Sequence, residues 1–201
     1  MTTTETHAPT APAAVRRRFT TTDLALIAVF AALIAAASYA AAIPVGGAGV
    51  PITLQTLALI LTGLVLGPVR GFVAASLYLL LGLVGLPVFA EHSSGAAVFT
   101  GPTAGYLYSF PVLAAVAGVG AVLAGSSRTR ALFLFVPAVV AVLVNHAAGI
   151  AGMHVVLDVS WSKAATFDAP FWVGDLVKAA VAAIVAAEVH RAFPALLGRR
   201  G

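Results

Sequence analysis

The sequence predicts an all-α integral membrane protein of six transmembrane helices with both termini in the cytoplasm. Three observations carry this reading. Hydrophobic residues make up 61% of the 201 residues and charged residues 9%, with a mean hydropathy of +1.03, far from the usual globular mix. Six apolar stretches can be drawn, each near the roughly 20 residues that cross a hydrocarbon core. Basic residues also fall on one side of those stretches. With the N-terminus inside, the inner face holds Arg16, Arg17, Arg18, Arg70, Arg128, Arg130, Arg191, Arg199 and Arg200, and the outer face only Lys163. The excess of basic residues on cytoplasmic connections sets this orientation. It also accounts for the net charge of +4 without a nucleic-acid partner.

Taken in order, residues 1–21 form a cytoplasmic tail whose Thr- and Pro-rich start, MTTTETHAPTAPAA, predicts disorder. Residues 22–193 form the membrane domain and 194–201 a basic tail. The first span, Leu24–Ile43, follows Arg16–Arg18 and so imitates the start of a signal peptide. It is of spanning length, and no small-residue cleavage site leads into a soluble domain, so it reads as a retained helix. Ala25, Ala28, Ala32, Ala35 and Ala36 form a narrow small-residue stripe on it, opposite Leu26, Phe30 and Leu33. Such a stripe lets another helix approach closely, within this chain or outside it. The second span, Ile52–Gly67, is the short one. The third is Gly71–Phe89, the fourth Ala104–Gly125, the fifth Ala131–Met153 and the sixth Phe171–Ala192.

The outer connections, PVGGAGVPITLQTL and GLPVFAEHSSGAAVFTGPTAGYLYSF, are dense in Gly and Pro. Irregular backbone at membrane depth is tolerated only when buried in protein or lining a cavity. The inner connections, Gly67–Arg70 and Ser126–Arg130, are too short to hold a nucleotide-binding domain. Neither lysine follows a glycine, so a phosphate-cradling G-x-x-x-x-G-K-[ST] loop is absent. Any ATP-driven transport would need a separate ATPase subunit.

Zero cysteines remove disulfides, thiolate catalysis and Cys-ligated metal. G-x-S-x-G and H-E-x-x-H are absent. The five histidines are scattered. His146 and His154 share a stripe, but no acidic ligand accompanies them in that span, and a metal needs three or four convergent ligands. The sequence therefore predicts neither enzyme nor cofactor nor metal.

The binding chemistry sits in the last span, PFWVGDLVKAAVAAIVAAEVHRAF. Asp175 and Lys178 are one turn apart on one face. Ionisable groups in hydrocarbon cost several kcal/mol and usually mark a site or pathway; the structural alternative is an ion pair that pins two helices. With the orientation above, Lys178 lies in the outer half of the span, roughly 10 Å deep at 1.5 Å per residue. Gln55, at the start of the second span, and Asn145, well inside the fifth, are further candidates. Their alternative role is helix–helix hydrogen bonding, worth about 0.6 kcal/mol. Phe89 and Tyr106 flank the irregular loop and could pack on a ligand ring, whereas Trp161 and Trp172 read as interfacial anchors.

At these residues the chain resembles a known family. GVPITLQTL, GLPVF, GPTAGYL and PFWVGDLVKA, in that order, resemble the BioY biotin transporters, the substrate-binding S-components of energy-coupling-factor (ECF) importers. The resemblance spans about Thr22 to Arg191. It implies a six-helix protein of the bacterial cytoplasmic membrane that captures biotin from outside. It also implies partners in the bilayer and beneath it: a transmembrane coupling protein and two ATPase subunits. The A-x-x-x-A pattern that S-components use to dock the coupling protein is matched by Ala28 and Ala32. Two departures stand out: Ala104 replaces the first glycine of the usual G-P-T-G-G-Y, and Glu91 and His92 follow GLPVF where relatives are small and Gly-rich. Other S-components bind other small vitamins, so the ligand is the runner-up question within the class. An intramembrane enzyme or a structural bundle are the rivals outside it.

Overall fold

The computed structural model describes residues 19–40, 42–45, 47–124, 130–194 and 196. The N-terminal tail with Arg16–Arg18, the connection with Arg128, and the C-terminal Arg199 and Arg200 lie outside the described residues. Helix α1 (Thr21–Ala40) starts ahead of the expected Leu24 because Thr20 and Asp23 cap it reciprocally. The Thr20 backbone N–H and hydroxyl donate to Asp23 Oδ2 at 2.9 and 2.8 Å, and the Asp23 N–H donates back to Thr20 Oγ1 at 3.2 Å. Each satisfies an otherwise orphaned group at the helix start.

The connection after α1 is a small antiparallel hairpin, β1 (Ile43–Val45) and β2 (Val50–Ile52), with Pro44 opposite Pro51. This is the non-helical backbone expected of the Gly- and Pro-dense connection, here paired as two three-residue strands in a chain that is otherwise all-α. Ile and Val flank a turn in which Gly49 has φ +70°, a conformation glycine adopts without steric cost. Helix α2 (Gln55–Leu66) then breaks into α3 (Pro68–Leu83) at Gly67, φ +83°, with Pro68 in the first helical position. Arg70, expected in the connection, is instead buried in the first turn of α3. It donates from Nε to the Leu66 carbonyl at 2.9 Å and from Nη1 to Asp23 at 3.0 Å, tying α1 to α3. Helix α3 stops short of the expected Phe89. An irregular loop follows, with single 3-10 turns at Ala90–His92 and Ala96–Thr100.

Helices α4 (Ala104–Leu123) and α5 (Arg130–Val156) match the fourth and fifth spans. Beyond them an unanticipated short helix, α6 (Trp161–Asp168), meets α7 (Phe171–Ala192) at a bend of 51°. The polar run WSKAATFD reads as connection by hydropathy, yet Ser160 caps it by accepting from the Lys163 N–H at 3.2 Å. Helices α1, α4 and α5 are each long and apolar enough to cross a membrane, and α6 with α7 can make a fourth, bent span. The chain is thus a multi-pass, helical membrane protein. Helices α2 and α3 have 12 and 16 residues, about 18 and 24 Å of rise, less than a straight crossing needs.

Helix α4 is the central element, packed against α2, α3 and α5. Close approach rests on glycines facing backbone. A Cβ at Gly63 would overlap the Ala114 carbonyl of α4, and one at Gly152 would lie 2.6 Å from Gly105 Cα. Small residues let helices pack this way in lipid, where burial supplies no hydrophobic drive. Gly63→Val should therefore destabilise the protein by about 3 kcal/mol or more, since backbone cannot give way as a side chain can. Gly174→Ala, where a Cβ meets nothing within 4 Å, should be neutral. Thermal unfolding of the two variants in detergent tests the contrast; equal midpoints would refute it.

Candidate functional site

The hairpin, the start of α2, the 88–103 loop, the first two turns of α4 and α7, and Asn145 of α5 line a cavity of about 190 Å³. All six candidate residues line it: Gln55, Phe89, Tyr106, Asn145, Asp175 and Lys178. Apart from Asn145, the wall is built where helices begin and from the irregular backbone between them.

Lys178 and Asp175 form an ion pair, Nζ to Oδ1 at 2.8 Å, and Nζ also donates to the Thr53 carbonyl at 2.7 Å. The pair therefore ties α7 to Thr53, in the link between β2 and α2. Gln55 is held from both sides: its Oε1 accepts from the Thr53 hydroxyl at 2.8 Å and its Nε2 donates to the Tyr78 hydroxyl at 2.6 Å. Asn145 Oδ1 accepts from the Ser109 hydroxyl at 2.8 Å. Phe89 is buried and makes edge contacts with Tyr78 and Phe99, at centroid distances of 5.5 and 5.6 Å. Gly82 makes room for its ring, which a Cβ there would overlap.

Two aromatic residues make polar contacts beyond those the sequence suggests. Tyr106 lines the cavity and its hydroxyl donates to Asp168 Oδ1 at 2.5 Å. The Trp172 indole stacks on His146 at 4.3 Å and 16°, and its Nε1 donates to Asp168 Oδ2 at 2.7 Å. Trp161 is exposed and stacks on His154.

These contacts bring together His146, Asp168 and Asp175, which no local pattern connects. His146 on α5 has Nδ1 2.7 Å from Asp168 Oδ1, and Nε2 3.4 Å from Asp175 Oδ2. Its acidic neighbours come from α6 and α7, not from its own span. Asp168 could have been flagged as Asp175 was, as a carboxylate at the edge of an apolar stretch. What hid it was its place in a segment read as connection.

The rim carries strain. Glu91 and His92 both sit in the left-handed region, φ 57° and 60°, which non-glycine residues enter only at a cost. His92 packs edge-on against Tyr39 of α1 at 4.6 Å, and Ser38 of α1 donates to the Val88 carbonyl at 2.5 Å. The loop that carries Phe89 is thereby fixed to the end of α1.

The arrangement can offer one polar ligand an ammonium, a carboxylate, two side-chain amides and apolar ring faces. Such a set suits a compact molecule with both hydrogen-bond donors and acceptors and an apolar body.

Comparison with known proteins agrees on one group. The "Probable biotin transporter BioY" of Pyrococcus horikoshii is 39% identical over 82% of this chain and 93% of its own length. The "Biotin transporter BioY" of Rhodobacter capsulatus is 36% identical over 89% and 98%. Among solved structures, the crystal structure of the S-component for biotin from an ECF-type ABC transporter superposes with a TM-score of 0.79. It is 24% identical and covers 85% of this chain and 91% of its own. The BioY family profile matches residues 9–195, so with relatives of this identity along nearly their whole length, the chain belongs to the BioY family.

Proposed function

We propose that this protein captures biotin from outside a bacterial cytoplasmic membrane, as the substrate-specific subunit of an ECF-type importer. Its partners in that role are a transmembrane coupling protein and two ATPase subunits. The observation that carries the reading is the Asp175–Lys178 pair on the wall of the cavity, in a chain of this family. Biotin has a carboxylate on an apolar tail, a thioether ring, and a ureido group with N–H donors and a carbonyl. A carboxylate accepts from the N–H groups, and an ammonium donates to the carboxylate or the carbonyl. Gln55 and Asn145 can serve either end, and the rings of Phe89 and Tyr106 the apolar body. The test is whether purified protein retains tritiated biotin stoichiometrically and unchanged. Retention of a different vitamin in preference, or chemical turnover, would refute the reading.

The outward-facing site requires cytoplasmic termini, as the basic residues of the chain argue. A chain without cysteine gives a clean background for labelling. Ser94→Cys, in the loop beside the cavity, should react with a membrane-impermeant maleimide in intact cells, and Ser127→Cys should not. Labelling at position 127 would invert the orientation and the direction of capture.

A further inference from the structure

His146 is buried among charged groups with which the sequence gives it no local connection. Its side chain and that of Asp168 are 1% and 0% exposed, and the other edge of the ring faces Asp175. Asp168 already accepts from the Tyr106 hydroxyl and the Trp172 indole N–H. It also lies 2.7 and 2.9 Å from His146 Nδ1 through its two oxygens, and with Asp168 ionised Nδ1 is the donor of that contact. On the opposite edge, Nε2 lies 3.4 Å from Asp175 Oδ2, an ion-pair distance without hydrogen-bond geometry, and makes no hydrogen bond among the described residues. A bare lone pair held there against a carboxylate, away from water, would be repelled; a proton on Nε2 makes the contact attractive. The ring is then a cation, and Trp172, stacked at 16°, holds its plane. From α6 through α5 to α7 the charges alternate: Asp168 negative, His146 positive, Asp175 negative, Lys178 positive.

We propose that His146 is a positioning residue of the ligand site, a buried cation that holds Asp175 Oδ2 so that Oδ1 and Lys178 Nζ face the ligand in one orientation. The proposal rests on the reading of this cavity as a biotin site. Four charged groups sum to zero with His146 in place. Without its charge, Asp175 has Lys178 as its sole cation among these groups, and the ammonium is drawn from ligand to carboxylate. Metal-ligand triads use the same device, in which an outer group fixes the group that touches the ligand.

The experiment is a double-mutant cycle on the detergent-purified chain, read as the Kd for tritiated biotin. His146→Gln should weaken binding about tenfold or more when Asp175 is present, but less than about threefold on an Asp175→Asn background, because coupled residues are non-additive. On a Gln55→Ala background the full factor should return. The same factor with and without Asp175, or His146→Gln binding within about twofold of wild type, would overturn the proposal. If His146→Gln does not fold, Asp168→Asn removes the other side of the clamp and must show the same dependence on Asp175; equal factors there overturn it too. An unsubstituted protein that binds no biotin is a distinct result, and it removes the functional reading together with this inference.

Discussion

Replacing Lys178 by alanine is expected to weaken biotin binding by 2 kcal/mol or more, roughly thirtyfold. Lys178 holds two partners at once, Asp175 Oδ1 at 2.8 Å and the Thr53 carbonyl at 2.7 Å. Its loss removes an ammonium from the cavity wall, leaves a buried carboxylate short of its partner, and unties α7 from Thr53, in the link between β2 and α2. All three effects act in the same direction. Lys178→Arg should fail as well, although the charge stays. A planar guanidinium with a fixed fork cannot reproduce a compact ammonium that points one N–H at a carboxylate, one at a main-chain carbonyl and one into the cavity. Equilibrium binding of tritiated biotin, with the unfolding midpoint measured on the same preparations, checks both variants. If both fold and bind as wild type does, the pair is a structural pin and the ligand contacts lie elsewhere on the wall.

The strongest signals in the sequence were those with a large free energy behind them. Asp175 and Lys178 stood out because charge in an apolar stretch is costly, and they do line the cavity. Gln55 and Asn145 stood out for the same reason at lower cost. The main helices were legible from hydropathy, but their ends were not. Helix α2 begins at Gln55, not Ile52, because Val50–Ile52 pairs in the hairpin, and pairing between strands leaves little trace in average hydropathy. Helix α6 was hidden because its polar face outweighs its apolar one in any long window. The role of Tyr106 was half visible: an aromatic beside a Gly-rich loop suggested a ring contact. Its hydroxyl partner Asp168 is 62 residues away, a distance no local pattern spans. The same holds for His146, whose partners arrive only when α5, α6 and α7 pack.

Ala28→Trp or Ala32→Trp should abolish biotin uptake while leaving biotin affinity within about threefold of wild type. The two positions lie on the exposed side of α1, whereas Ile27, Ala31, Ile34 and Ser38 form the face buried on this chain. An indole at 28 or 32 therefore displaces nothing inside the subunit and lies away from the cavity lining. What it blocks is close approach of another helix, and in lipid no hydrophobic gain offsets the lost packing. Ala→Val at either position should reduce uptake in part and weaken co-purification with the coupling protein in step. Ala31→Trp makes the contrast, since Ala31 is 1% exposed and an indole there must disrupt the fold and so the binding. Uptake in cells and binding by purified protein separate the cases. Lost binding at 28 or 32 would mean that the stripe serves packing within the subunit. Normal uptake would mean that the partner docks on another face.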